Sequence, residues 1–263
     1  MITILAALLG ATASCTSVPG ADELWQPTTR WVIVGEMHGT NEIPAAFSNL
    51  ICLAAATKRP VTVALEYPAD GQAIIDTYLA SNGNPEAQAA LLTLPLFSTR
   101  MQDGRGSVAF LRLFDTLRHM KRAGQIESVV ASDVGRSTSP GQDRDAAMAK
   151  SWMAIPAAQN GIVLALVGNL HAMRKPVALT GRTIITAGSL MPARQTVTVN
   201  VTGSGGEAWN CQADGCGAHK NGRPHQRAMG ITYSTDPDRR WDASYELGVP
   251  TTAARPAHDS SNR

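Results

Sequence analysis

A three-layer α/β/α fold with a mainly parallel central sheet follows from three features of the sequence. Apolar runs alternate with helical stretches through residues 31–171, the order that lays strands in parallel with helices on both faces. The runs are largely continuous rather than alternating, as strands covered on both sides must be. Each of the four strongest, 32–34, 61–65, 128–132 and 162–167, is followed by a residue able to bind a ligand or carry a proton. In parallel sheets the carboxyl ends of the strands share one rim, and sites gather there.

The elements follow in order. Val32, Ile33 and Val34 form the first strand, which Gly35 ends. Thr40 or Asn41 is placed to cap the next helix, and Pro44 suits its first turn. Phe47, Leu50, Ile51 and Ala54 give that helix one buried face, and Lys58-Arg59-Pro60 stop it. The second strand, 61–65, is closed by Glu66-Tyr67-Pro68. Helical stretches at 69–80 and 86–92 flank a turn, and 95–106 read as an irregular loop. Phe110, Leu113, Phe114, Leu117 and Met120 mark an amphipathic helix that Gly124 terminates. The third strand, 128–132, ends in Asp133. After a loop at 137–142, residues 143–156 read as a helix with Met148, Trp152 and Ile155 inward. The longest apolar run, 162–167, is the fourth strand. Beyond it Ile184 and Ile185 start a short strand, 195–202 alternate like an edge strand, 203–227 read as loop, and 229–234 return a last strand. Residues 30–248 thus form a single domain with no fixed repeat.

The 263 residues are 44% hydrophobic and 17% charged with a net charge of +2. A large core is affordable, and no basic block invites nucleic acid. The clusters Arg118, Lys121, Arg122 and Arg239, Arg240 read as solvated surface. Residues 1–14 are apolar, too short to span a bilayer and end in small residues, the pattern of a bacterial signal peptide. Thr12-Ala13-Ser14-Cys15 resembles a loose lipobox, which makes Cys15 the expected lipidation site; cleavage after Ala13 is the rival. Either places the protein in the bacterial cell envelope, periplasmic, and the first tethers it to the membrane by a lipid. Residues 15–29 read as a linker and 249–263 as a disordered tail. Cys52, in an apolar helical run, reads as a buried thiol. Cys211 and Cys216 read as a small disulfide loop, the alternative being a metal cluster with His219.

The rim is where the chemistry gathers. It holds Glu36 with His38, Glu66, Asp133, and Asn169 with His171. Such groups converge on one cleft although they lie far apart in sequence. Glu42, past the turn, reads as serving the helix start. Asp103 and Arg105 read as a solvent-facing loop, Asp145 as ordinary capping at a helix start, and His119 as exposed. His219, His225 and His258 have no visible partners.

The segments Gly35-Glu36-Met37-His38 and Gly168-Asn169-Leu170-His171 are both G-x-x-H at a strand end. Together with Leu65-Glu66 and Arg144-Asp145-Ala146-Ala147-Met148-Ala149, in that order along the chain, they resemble one superfamily. It holds the erythromycin esterases, the ChaN-like haem-binding lipoproteins and the TIKI and TraB-type metalloproteases. The resemblance covers roughly residues 31–175 and rests on four short motifs. The Glu36-Met37-His38 spacing fits the ChaN-like and TIKI-like branches, whereas Gly39-Thr40-Asn41-Glu42 leans toward the esterases. It implies an α/β/α fold with the site on the carboxyl rim, acting on a small-molecule or peptide substrate.

Two mechanisms are compatible with these residues. In a hydrolase, Glu36, His38, Glu66 and His171 hold a divalent ion, Zn or Mn, that activates water. Without metal, His38 is the general base oriented by Glu36 or Glu66, and His171 or Arg144 stabilises the oxyanion. In a binding protein the same cleft takes haem, with a histidine or Tyr67 as axial ligand. The 5% aromatic content and the acid-rich rim favour the hydrolase.

Overall fold

A computed structural model describes residues 15–98, 102–134, 143–155, 160–179 and 181–258. The signal segment 1–14 and the loop at 137–142 lie outside the described residues. In chain order the elements are β1 (Trp31–Glu36), α1 (Glu42–Ala56), β2 (Val61–Pro68), α2 (Gln72–Ala80), α3 (Pro85–Leu91), α4 (Val108–Arg122), β3 (Ser128–Asp133), α5 (Arg144–Ala154), β4 (Ile162–Gly168), β5 (Val177–Leu179), β6 (Arg182–Ile184), β7 (Thr196–Thr202), β8 (Glu207–Gln212), β9 (Gly215–Lys220), β10 (Gly230–Tyr233) and β11 (Ala243–Glu246).

Seven strands form one sheet in the order β10-β11-β7-β1-β4-β2-β3, and only β10 runs antiparallel to its neighbour. Alternation along each strand sorts the side chains to two faces. Val32 and Val34, Val63 and Leu65, and Leu164 and Leu166 pack into the larger core, with Phe47, Leu50, Phe110 and Phe114 of α1 and α4. Ile33, Ala64, Val163 and Ala165 face the other way, against Met148, Ala149 and Trp152 of α5. The three layers are therefore the expected ones. Strand β4 follows β3 in sequence yet lies between β1 and β2. It brings the two G-x-x-H segments side by side, with Glu36 opposite Gly168 in the register.

Several expectations need correction, each for a physical reason. Strand β7 is interior, paired to both β1 and β11; its second partner is four residues long and gives little hydrophobic signal. The stretch read as a loop at 203–227 contains the hairpin β8–β9. Residues 15–29 are no linker. Val18, Ala21 and Leu24 are buried in the large core, and Cys15 is bridged to Cys52. A sulfur in that bond cannot carry a thioether-linked lipid, and Cys52 is not a thiol. Arg118 is buried, not solvated, and donates to Asp115.

The tail is also ordered through residue 258. Thr251 and Ala254 are buried, and the segment bridges Gly206, Thr40 and Ser107 in turn. Its small and proline residues read as disordered, but Gly39 and Gly106 carbonyls take its N–H groups. Glu42 accepts from the Thr252 backbone N–H, so its carboxylate serves this strap and not the cleft. Asn41 is the N-cap of α1 by position, yet its side chain turns to Thr252 as well.

The Cys15–Cys52 bridge spans 37 residues, and closing a loop of that size stabilises by about 2–4 kcal/mol. Cys52→Ala is expected to lower the free energy of urea unfolding by that amount. Non-reducing peptide mapping of the purified protein is expected to find residues 15 and 52 in one linked fragment.

Candidate active site

Glu66 stands at the centre of the carboxyl rim. The register of β2 against β3 shifts between Leu65 and Pro68, and such a bulge re-aims a side chain beside a site. The carboxylate is buried, and both its oxygens are used. Oε1 accepts from Arg105 Nη1 at 2.9 Å and from Arg144 Nη2. Oε2 accepts from the Gly168 backbone N–H at 2.6 Å and lies 3.5 Å from His38 Nε2. Arg105 also donates to the Glu66 carbonyl and to Asp103. Asp133 Oδ1 and Oδ2 accept from Arg144 at 2.8 and 2.7 Å, a forked pairing that fixes the guanidinium plane.

Each histidine sits against its own carboxylate. Between His38 Nδ1 and Glu36 Oε1 the distance is 2.8 Å, as it is between His171 Nδ1 and Asp145 Oδ1. The far nitrogens differ. His171 Nε2 lies 3.1 Å from Arg144 Nη1. A guanidinium only donates, so Nε2 accepts and the His171 proton sits on Nδ1, donated to Asp145. His38 Nε2 has no arginine against it and faces the cleft. Burial alone would lower the His38 pKa, but Glu36 and Glu66 on either side outweigh it and raise it from 6.5 to about 10. Burial would push Glu66 up, yet the charges of His38 and Arg105 beside it hold it well below the ordinary carboxylate range.

The groups meet above Gly168. A Cβ placed on Gly168 would stand 3.1 Å from His38 Nε2, 3.5 Å from Glu66 Oε2 and 3.6 Å from His171 Cδ2. That point is the floor of a cleft of about 550 Å³, lined by Glu36, His38, Glu66, Arg105, Arg144 and His171 among others. The volume is that of a small-molecule site. One buried side-chain atom of the residues that line it, Glu36 Oε2, has no hydrogen-bond partner among the described residues.

Sequence reasoning placed Glu36, His38, Glu66, His171 and Arg144 here, and the fold brings all five together. It missed Arg105, which is buried against Glu66 and not on a solvent-facing loop. Its neighbours Asp103, Gly104 and Gly106 hid it, since none of them is apolar. Asp133 and Asp145 do more than cap or turn: Asp143 caps α5, and Asp145 is left to orient His171. His225 does have a partner, Glu246 at 2.8 Å, and His219 has Asp214 at 3.1 Å. Cys211 and Cys216 are bridged across β8 and β9.

The donor set does not fit a divalent metal held by Glu36, His38, Glu66 and His171. His171 directs its ring nitrogens at Asp145 and Arg144, and both Glu66 oxygens accept from Arg105, Arg144 and the Gly168 N–H, which leaves one atom each of Glu36 and His38 where a site needs three or more ligands. Two guanidinium groups already neutralise Glu66. No group of three or more metal-binding side chains occurs among the described residues. As a haem ligand Tyr67 is ruled out: its ring packs on Phe97, Phe110 and Phe114, and its hydroxyl donates to the Arg105 carbonyl.

No family model and no curated protein matches the sequence. Solved structures do match the fold. A succinoglycan biosynthesis protein aligns with a TM-score of 0.64 at 9% identity, over 87% of this chain and 89% of its own. A Bacillus cereus protein gives 0.62 at 11% identity, over 91% and 94%. A mutant of the erythromycin esterase EreC in its open conformation gives 0.61 at 12% identity, over 89% and 93%. The chain thus has, over nearly its whole length, the fold that the sequence motifs implied.

Two outcomes test this geometry. Arg105→Met removes a charged hydrogen-bond partner from the buried Glu66 and is expected to destabilise the fold by about 1.5–3 kcal/mol in urea unfolding; an arginine on a solvent-facing loop would cost under about 0.5. The His38 contribution to stability is complete below pH 6.5 and drains away as the pH rises to about 10. That of Glu66 is complete above pH 4.5 and is lost in acid. The melting temperature is therefore expected to fall from pH 6.5 to 10 in the native protein, and to fall less in His38→Gln.

Proposed function

We propose that the cleft hydrolyses an ester of a small molecule without a metal, His38 acting as general base. The carrying observation is the point above Gly168, within 3.6 Å of His38 Nε2, Glu66 Oε2 and His171 Cδ2. A water resting on the cleft side of that point, in contact with the Gly168 backbone, lies in reach of the one histidine nitrogen that no arginine occupies. Glu36 holds the other His38 nitrogen, fixing the ring as the acid of a catalytic dyad does.

The electrostatics supply the partner step. Arg144 spends one N–H on Asp133 Oδ1, one on Asp133 Oδ2, one on Glu66 and one on His171. Of its five donors one on Nη1 is left for a substrate oxygen. Water attacks the ester carbonyl and gives its proton to His38. The oxyanion forms against Arg144, and the tetrahedral intermediate collapses as His38 returns the proton to the leaving alkoxide. The products are an acid and an alcohol. Likeness in fold to an esterase is compatible with this chemistry but does not carry it.

Haem binding is the second reading, and His38 is its one remaining ligand. Carboxylates 2.8 and 3.5 Å from the His38 ring nitrogens argue against it, since they hold that ring protonated and repel haem propionates. Location in the envelope remains part of the proposal and rests on the sequence of residues 1–14.

Because Glu36 and Glu66 keep His38 protonated up to about pH 10, the base form grows with pH. For a p-nitrophenyl ester, kcat/KM is expected to rise through the alkaline range toward a plateau near pH 10. His38→Ala is expected to lower it by about 10²–10⁴-fold, with chelators having no effect. A flat pH profile, an unchanged variant, or a Soret band that disappears in His38→Ala would each count against this reading.

A further inference from the structure

The two G-x-x-H segments share more than their histidines. Each places an apolar side chain directly before the histidine, Met37 and Leu170, and both line the cleft. Neither has a chemical role there. Met37, the residue after the buried end of β1 at Glu36, leaves 41% of its surface in water. Across the cleft from the rim stands the β8–β9 hairpin, fixed by a bond from the Trp209 N–H to the Gly39 carbonyl. Its Cys211 lines the same cleft as half of a disulfide.

Charge on the cleft is closed off. Glu36 faces His38, Glu66 faces Arg105 and Arg144, Asp103 faces Arg105, and His171 faces Asp145. Among the described residues that line it, each charged side chain is paired with another, and the one spare Arg144 N–H goes to the ester oxygen. Besides these the described lining holds a thioether, an isobutyl group and a disulfide, with the amides of Gln102, Asn169 and Asn210.

Resting on the hydrolase reading, we infer that Met37 and Leu170 are the lips of an apolar subsite that selects the substrate. They receive a neutral acyl chain several carbons long while its ester carbonyl sits above Gly168. Burying that chain against the lips adds apolar contact that a short acyl group cannot make. Chain length is therefore set by two residues that touch none of the reacting atoms.

The test compares kcat/KM for p-nitrophenyl octanoate and p-nitrophenyl acetate in the native protein, in the double variant Met37→Ser with Leu170→Ser, and in Met229→Ser. Met229 is an exposed apolar residue away from the cleft. The octanoate-to-acetate ratio is expected to fall about tenfold or more in the double variant and to stay put in Met229→Ser. If both esters are cleaved and the ratio does not depend on the lips, the subsite is overturned while the hydrolase stands. If the native protein cleaves neither ester, the hydrolase reading has failed, and calorimetry with 1-octanol decides the subsite. Binding lost in the double variant supports it; binding absent from the native protein, or equal in both, overturns it.

Discussion

The rest of the site depends on one buried carboxylate. Glu66 is taken out of water at the end of β2, a placement that costs several kcal/mol unless the charge is matched. Two arginines, a backbone N–H and a histidine match it. Each of the three side chains among them is held by a further acid: Arg105 by Asp103, Arg144 by Asp133, His38 by Glu36. The rim is therefore one connected network in which every member fixes the next. Networks of this kind are costly to leave half-satisfied, which keeps the side chains where they are before any substrate arrives. Such preorganisation is what an electrostatic catalyst needs.

The same network explains why two like motifs acquire unlike roles. His38 and His171 follow parallel neighbouring strands, and each has an acid on Nδ1. Only Arg144 breaks the symmetry. It stands on α5, on the β3 side of the rim, and occupies Nε2 of His171, so that ring can orient and donate but cannot take a proton there. His38 lies farther along the rim, between two carboxylates, and keeps Nε2 open to the cleft. Which of the two histidines is free to act as base follows from sheet order rather than from the motif itself.

Much of this was legible in the sequence because the sheet interior is read from short-range patterns. Continuous apolar runs at 32–34, 61–65 and 162–167 place the strands, and the residue after each run belongs to the rim by topology alone. Glu36, His38, Glu66 and His171 are found that way. What the sequence hid lies where local pattern and tertiary partner part company. Arg105 sits among Asp103, Gly104 and Gly106, a composition that reads as solvent, yet its buried position is set by Glu66, 39 residues earlier. The strap at 249–258 is polar and proline-bearing, and its order comes from backbone groups of Gly39, Gly106 and Gly206 that no periodicity records. Cys15 invited a lipid because its partner, Cys52, lies on the far side of a strand and half a helix.

Gly39 joins these late-found parts to the chemistry. Its φ of +85° is open to glycine at little cost, and a Cβ there would sit 2.0 Å from the Trp209 carbonyl. Its own carbonyl takes N–H groups from both Trp209 of the hairpin and Ala254 of the strap. The residue before it is His38. The hairpin wall and the C-terminal strap are thus tied to the backbone of the proposed base by two hydrogen bonds to one atom. A disturbance of either segment reaches His38 through one residue, without passing through the core. The extensions that the sequence presented as loop and tail are, on this geometry, the outer support of the site.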